Sequence, residues 1–169
     1  MIGIPALRRI LKGNRVIAVV GLSAKWHRPS YSVAKYLLEH GHRVIPVNPS
    51  YQEVLGQKCY PTLRDIPEQV DIVDCFRKSE NIMPLAEDAI AIGAKVLWMQ
   101  IGVINEAAAE KARKAGLEVV MDRCIEIEYA RLCGGWQRRA PGHRAESAVA
   151  PGFGRNSGAE RQAEHYAHC

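Results

Sequence analysis

The sequence predicts an α/β protein with a Rossmann-like, doubly wound parallel sheet of five strands in a three-layer arrangement. Short, nearly all-apolar runs alternate with helical segments along the chain, which is typical of right-handed βαβ crossovers and of strands covered on both faces. Glycine ends three predicted helices just before a strand, at Gly41, Gly93 and Gly116. We therefore predict a single Rossmann-like domain over residues 1–133.

The first elements follow from hydrophobic periodicity and from glycine stops. An amphipathic helical start, Ile4 to Leu11, precedes the β-branched run Val16 to Val20, which predicts the first strand. A helix from about Val33 to His40 ends at Gly41, and the apolar run Arg43 to Val47 predicts the second strand.

The second half of the domain repeats the same alternation of strand and helix. Each apolar run of strand length is followed by a longer helical pattern, and two of these helices again end at glycine. The predicted strands are 71–75, 95–99 and 118–121, and the predicted helices are 82–92, 105–115 and 125–132.

Composition limits the class of protein. The chain has 169 residues, of which 47% are hydrophobic and 24% charged, as in ordinary soluble domains. No apolar run approaches the roughly 18 residues of a membrane span, and residues 1–15 lack the pattern of an export signal. The five cysteines form no C-x-x-C pair, which favours a reduced, cytoplasmic chain. A net charge of +5 is too small and scattered to indicate nucleic-acid binding.

The character of the chain changes after Cys133. Residues 134–169 are rich in Gly, Ala, Arg and Pro and show no sustained apolar periodicity, so we expect a low-complexity, disordered tail. Its terminal His165 and His168 are too short a cluster to assign a metal.

Polar and basic residues follow the predicted strands. In an open α/β sheet, ligands bind beyond the carboxyl ends of the strands, so these residues are the candidate site. A strand that stops at glycine and is followed by a helix also offers amide donors and a positive helix end to an anion. The candidate residues are Gly21, Leu22, Ser23, Lys25, Arg28 and Ser30 after the first strand, Val47, Asn48 and Pro49 at the second, Phe76 and Arg77 after the third, Gln100 after the fourth, and Asp122 and Arg123 after the fifth.

Two marks of an NAD site are missing from these loops. A nicotinamide binder usually shows G-x-G-x-x-G after the first strand and an acid about 20 residues on. Here Gly21 is followed by Ser23 and Lys25, and the second strand ends at Asn48 without Asp or Glu. NADP stays open, because lysine and arginine side chains can bind a 2′-phosphate.

Five segments carry a family resemblance. They resemble, in order, the small single-domain CoA-binding proteins, which are similar to the CoA-binding domain of the succinyl-CoA synthetase alpha subunit. The resemblance covers about residues 10–133, and the tail has no counterpart in the family. The segments are Gly21-Leu22-Ser23-Ala24-Lys25 with Arg28-Pro29-Ser30, Val44 to Pro49, Asp71 to Arg77, Trp98 to Gly102, and Met121 to Cys124.

The resemblance implies that coenzyme A (CoA) lies across the strand ends. The amides of Gly21 to Ser23 and the helix start near Ser30 would receive the pyrophosphate, and Lys25 and Arg28 would neutralise phosphate charge. The turn 47–49 would line the adenosine, and Phe76 and Arg77 would lie along the nucleotide. The lack of an acid after the second strand fits a ligand with about four negative charges.

Other residues at the strand ends have simpler interpretations. We interpret Asp122 and Arg123 as a local ion pair that fixes the last loop, and Trp98 and Cys75 as core residues. Cys124 begins the last helix, where a thiolate would be favoured and, under oxidation, could form a mixed disulfide with a thiol ligand. Packing is the preferred interpretation of Cys124.

The sequence predicts a binding module and no enzyme. It lacks a nucleophile elbow, a Walker loop and metal-ligand spacing, and no phosphohistidine domain follows the predicted domain. We predict a non-catalytic protein that binds CoA or acyl-CoA, in which exposed sheet edges and helices allow a homodimer. The alternatives are an NADP-binding, oxidoreductase-like protein and a regulatory interaction module whose nucleotide site is vestigial.

Overall fold

The computed structural model describes residues 2–134, and these form a five-stranded parallel sheet flanked by helices. The helices and strands have the following bounds. The helices are α1 (Ile4–Gly13), α2 (Pro29–Glu39), α3 (Ile82–Ala91), α4 (Glu106–Lys114) and α5 (Ile125–Leu132). The strands are β1 (Val16–Val20), β2 (Arg43–Val47), β3 (Glu53–Val54), β4 (Gln57–Lys58), β5 (Ile72–Cys75), β6 (Val96–Met99) and β7 (Glu118–Val120).

The strand order in the main sheet is β2-β1-β5-β6-β7. The chain adds β2 on one side of β1 and the later strands on the other, so the order reverses between β1 and β5. In register, Val20 pairs with Val47 and with Cys75, and Cys75 pairs with Met99. The loops that follow these strands therefore start level at one edge of the sheet, which we call the carboxyl edge.

Two apolar layers cover the two faces of the sheet. Successive side chains of β1 alternate between them, as the period of a strand requires. Ile17 and Val19 pack with the apolar residues of α1, α2 and α5, whereas Ala18 and Val20 pack with those of α3 and α4. This confirms the predicted three-layer, doubly wound architecture.

The glycine stops predicted from the sequence are confirmed. Gly41, Gly93 and Gly116 have φ angles of 82°, 69° and 94°. This left-handed conformation is tolerated by glycine and ends a helix after its last carbonyls have been bonded.

Two features of the fold differ from the prediction. Helix α2 begins at Pro29 and not near Val33, because proline at the first helical position already has the helical φ and needs no amide donor. The hairpin of β3 and β4 was not predicted, and its strands have only two residues each. The predicted tail lies outside the described residues, apart from Gly134.

None of the helices in residues 2–134 combines the length and the apolar character needed to cross a membrane.

Candidate functional site

The centre of the candidate site is the turn after β1, at the point where the strand order reverses. Gly21 has a φ angle of 84°, and its amide donates to the carbonyl oxygen of Val47 (2.9 Å). A β-carbon at position 21 would overlap the carbonyl oxygen of Phe76 and lie 3.3 Å from Nε of Arg77. Only glycine lets β1, β2 and the loop after β5 converge this closely.

Two serines organise the loop between β1 and α2. The amide of Ser23 donates to Oγ of Ser30 (3.1 Å), and the amide of Lys25 donates to Oγ of Ser23 (3.1 Å). Each hydroxyl that accepts an amide in this way keeps its own proton to donate. The loop is thus held in shape by its serines, which remain available as donors to an anion.

The amides of Gly21 and Ser23, two of the three expected to receive the pyrophosphate, have hydrogen-bond partners within the protein. Both amides are occupied, by Val47 and by Ser30 respectively. Donors that the loop leaves to a ligand include its two serine hydroxyls and the first turn of α2, where the helix end carries partial positive charge.

Three exposed cations surround this turn. Lys25 and Arg28 lie in the loop before α2, and Arg77 follows β5 on the other side of the crevice. Among residues 2–134 none of the three forms a salt bridge. Within the described part of the chain their charge is therefore not neutralised by carboxylates and can attract a polyanion.

The end of β2 forms one wall of the crevice through its backbone. Asn48 donates from Nδ2 to the carbonyl oxygen of Leu22 (3.1 Å), and its Oδ1 accepts from the amide of Ser50 (2.9 Å). The side chains of Leu22 and Val47 are buried in the two cores, so neither can line a ligand. Pro49 is exposed and remains the side chain of this turn that a ligand can contact.

The position of Gln100 after β6 suggested a surface contact with a ligand, but Gln100 lies inside the protein. Its side chain is buried and donates from Nε2 to Oδ1 of Asp74 (2.7 Å). Asp74 is fully buried in β5, and its Oδ2 has no hydrogen-bond partner among the described residues. Burial raises the pKa of this carboxyl to about 7, while the bond from Gln100 acts in the opposite direction.

The interpretation of Asp122 and Arg123 as an ion pair with each other is wrong. Oδ1 of Asp122 accepts from the amide of Gly102 (2.7 Å), and so joins the loops after β7 and β6. The guanidinium of Arg123 bonds to the buried carboxylate of Glu128 (3.1 Å), which also binds Arg131 (2.5 Å). Both residues thus fix the last loop, but with different partners.

The core assignments near the carboxyl edge are confirmed. Trp98 and Cys75 are fully buried, and the indole of Trp98 donates to the carbonyl oxygen of Arg123 (2.8 Å). Cys124 is only 8% exposed, and burial is the main cause that raises the pKa of its thiol. This supports packing as its role.

Sequence reasoning missed two features of the site. Asp74 gave a signal, since it is an acid inside a strand that is otherwise apolar and buried on both faces. Trp26, in the loop before α2, is 79% exposed. An exposed tryptophan between Lys25 and Arg28 was visible in the sequence but carried no motif.

Residues 15–130 match the protein family described as "CoA binding domain". The chain belongs to this CoA-binding domain family. A solved family structure, a hypothetical protein from Pyrococcus horikoshii OT3, is 47% identical, covers 79% of this chain and 94% of its own length, and superposes with a TM-score of 0.77.

Two curated relatives place the family in different contexts. The uncharacterised protein YneT of Bacillus subtilis is 40% identical over 73% of this chain and 92% of its own length. An ADP-forming acetate–CoA ligase of Archaeoglobus fulgidus is 37% identical over 73% of this chain but only 19% of the ligase. The CoA-binding domain thus occurs both as a small protein and as one part of an enzyme.

No cluster of three or more His, Cys, Asp or Glu side chains suited to a metal ion is present in residues 2–134.

Proposed function

We propose that this protein binds CoA or an acyl-CoA at the carboxyl edge of its sheet, as a non-catalytic module of the cytoplasm. The observation that carries the proposal is the group of three cations, Lys25, Arg28 and Arg77, which surround the turn at Gly21 and form no salt bridge with any described residue. Membership of the CoA-binding domain family supports the same ligand.

The pyrophosphate fits the crevice between β1 and β5. There the start of α2 and the hydroxyls of Ser23 and Ser30 supply donors, while the three cations supply charge from both sides. The adenosine extends toward β2, past the exposed ring of Pro49. Phe76 is half-buried beside Gly21 and lies along the nucleotide.

A binding role without catalysis is supported by the burial of the ionisable groups near the site. Asp74, Cys75 and Cys124 are ionisable groups close to the carboxyl edge, and all three are buried with a raised pKa. A carboxyl and a thiol in this state are withdrawn from solvent and cannot act on a ligand held at the surface of the crevice. In the acetate–CoA ligase this domain is likewise only a fifth of the protein.

The test is a calorimetric titration of the full-length protein with CoA, acetyl-CoA, NADP and NAD. We expect saturable binding of CoA and acetyl-CoA and none of NAD. Binding of NADP without CoA would replace the proposal by an oxidoreductase-like site. Absence of binding for all four ligands would leave an interaction module with a vestigial site.

A further inference from the structure

A groove of about 740 Å³ runs along the free edge of β7, the last strand of the sheet. Its lining includes residues of α4, which covers one face of the sheet, and Ile2, which packs with the other face. The groove therefore lies where the two helical layers flank the edge strand. Its apolar lining consists of Ile2, Ile104, Leu117, Val119 and Met121.

Most charged groups in the lining already have partners within the protein. Glu118 is bonded to Arg9 (2.6 Å), Arg123 to Glu128 (3.1 Å), and Asp122 to the amide of Gly102 (2.7 Å). A ligand in the groove would therefore meet its apolar residues between these satisfied charges, with Glu106 and Arg113 of α4 as the other charged lining residues. An apolar ligand suits this lining better than a charged one.

The groove is continuous with the carboxyl edge. Ile104 follows β6, and Met121, Asp122 and Arg123 follow β7, so one end of the groove opens beside the loops of the candidate site. From β1 to β7 there are three strand spacings, which is about 14 Å. The phosphopantetheine arm of CoA is a chain long enough to span that distance from a pyrophosphate at β1.

Exposed apolar residues are also concentrated at the carboxyl edge. Of the five large hydrophobic residues exposed in residues 2–134, only Ile4 lies elsewhere, on α1. The other four follow β1 or β6 or lie in the first turn of α5. They are Trp26, Ile101, Ile104 and Ile127. Exposed apolar residues spread along a ligand-binding edge indicate an apolar part of the ligand.

A strand of another chain is a poorer occupant of the groove. An added strand needs a row of unpaired backbone groups, and β7 has only three residues. The bidentate pair of Arg9 with Glu118 (3.0 and 2.6 Å) also joins α1 to the first residue of β7.

We infer that the groove holds the acyl chain of an acyl-CoA, and that the protein prefers a thioester with an apolar chain to free CoA. The inference rests on the proposed function, because the nucleotide must lie at the turn of Gly21 for its acyl chain to reach β7. It adds the class of ligand: a CoA thioester with an apolar chain.

The test is a titration of the full-length protein with CoA and octanoyl-CoA, in the wild type and in two variants. Ile104→Asp places a charge at the mouth of the groove, and Ile4→Asp is the matched control. Both side chains are 51% exposed, so neither change should disturb folding. Each buried methylene contributes about a fourfold gain in affinity, so even a partly seated chain should bind at least about tenfold tighter than CoA.

We expect Ile104→Asp to weaken the binding of octanoyl-CoA at least fivefold and to leave the Kd of CoA within twofold of the wild-type value. Ile4→Asp should leave both values within twofold. Equal affinity for CoA and octanoyl-CoA would overturn the inference while the proposed function stands. If neither ligand binds, the proposed function itself fails.

Two further outcomes would also overturn the inference. Octanoyl-CoA that binds tightly to Ile104→Asp and to the wild type alike would have its chain elsewhere. Sedimentation velocity of the ligand-free protein tests whether the groove is a dimer interface. A dimer that Ile104→Asp dissociates and Ile4→Asp does not would make the groove an interface between two copies of the chain.

Discussion

The carbonyl group of Phe76 lies so close to the α-carbon of Gly21 that a β-carbon at position 21 would overlap its oxygen. Gly21 follows β1 and Phe76 follows β5, so this contact joins the two strand ends where the strand order reverses. The glycine is required by a close approach of backbone as well as by its φ angle of 84°.

Gly21→Ala should therefore destabilise the protein by at least about 2 kcal/mol, from backbone strain and from displacement of the loop after β5. Urea unfolding measures the change. Gly13→Ala is the control, because nothing lies within 4 Å of the β-carbon that it would add. If the two variants lose the same stability, the contact with Phe76 does not constrain position 21.

Asp74 should make stability depend on pH. Its folded-state pKa of about 7 is above the value of the unfolded chain, so the folded protein holds the proton more tightly. The stability that this proton contributes is complete below about pH 4 and is lost as the pH rises through about 7.

Asp74→Asn keeps the oxygen that accepts from Gln100 and removes the titration. We expect the variant to be more stable than the wild type at pH 8 by roughly 2–4 kcal/mol, with little difference near pH 4. Urea unfolding across this range is the measurement. A difference that does not change with pH would contradict the raised pKa.

His42 should have the opposite effect on stability. Burial lowers the pKa of this imidazole, and the charges of Arg15 and His40 lower it further. The folded protein therefore binds the proton less tightly than the unfolded chain, and stability is lost as the pH falls below about 6.5. The ring packs edge-on against Tyr129, with centroids 5.0 Å apart.

His42→Phe preserves that aromatic contact and removes the proton. We expect its stability relative to the wild type to grow steadily as the pH falls from 7 to 5. Thermal unfolding followed by circular dichroism at several pH values tests this. Parallel pH curves for the two proteins would show that His42 titrates equally in the folded and unfolded states.

The three exposed cations at the crevice should contribute to CoA affinity separately. Lys25→Ala, Arg28→Ala and Arg77→Ala should each weaken binding roughly three- to tenfold, as expected for exposed cations that contact phosphate. The wild-type affinity should also fall with added salt, and less steeply in each variant.

Arg8→Ala is the matched control for these substitutions, because Arg8 is exposed on α1 and forms no salt bridge within residues 2–134. It should bind CoA as the wild type does. An equal loss in Arg8→Ala would show that net charge, and not the position of the cations, determines affinity.

The strands and the sheet edge could be predicted from the sequence because buried strands and glycine stops leave direct patterns. The bounds of β1 and β2 match the prediction. The β3–β4 hairpin left no such pattern. Its turn residues Leu55 and Gly56 both have positive φ, but leucine is rare in that conformation and so gave no turn signal.

The hydrogen-bond partners of the side chains in the site depend on the strand register, which could not be read from the sequence. Gln100 meets Asp74 because β5 and β6 pair with Cys75 opposite Met99. Arg123 bonds to Glu128 because α5 turns that carboxylate back toward the loop. The types of residue at the carboxyl edge were predictable, but the bonds that occupy the Gly21 and Ser23 amides were not.

The central claim is that CoA binds in the crevice between β1 and β5. The most direct measurement is the change in backbone amide chemical shifts of the ¹⁵N-labelled protein during titration with CoA. We predict the largest changes at Leu22, Ser23, Ser30 and Arg77, and none on the exposed face of α1. Saturable changes confined to other parts of the protein, or no changes at all, would contradict the account.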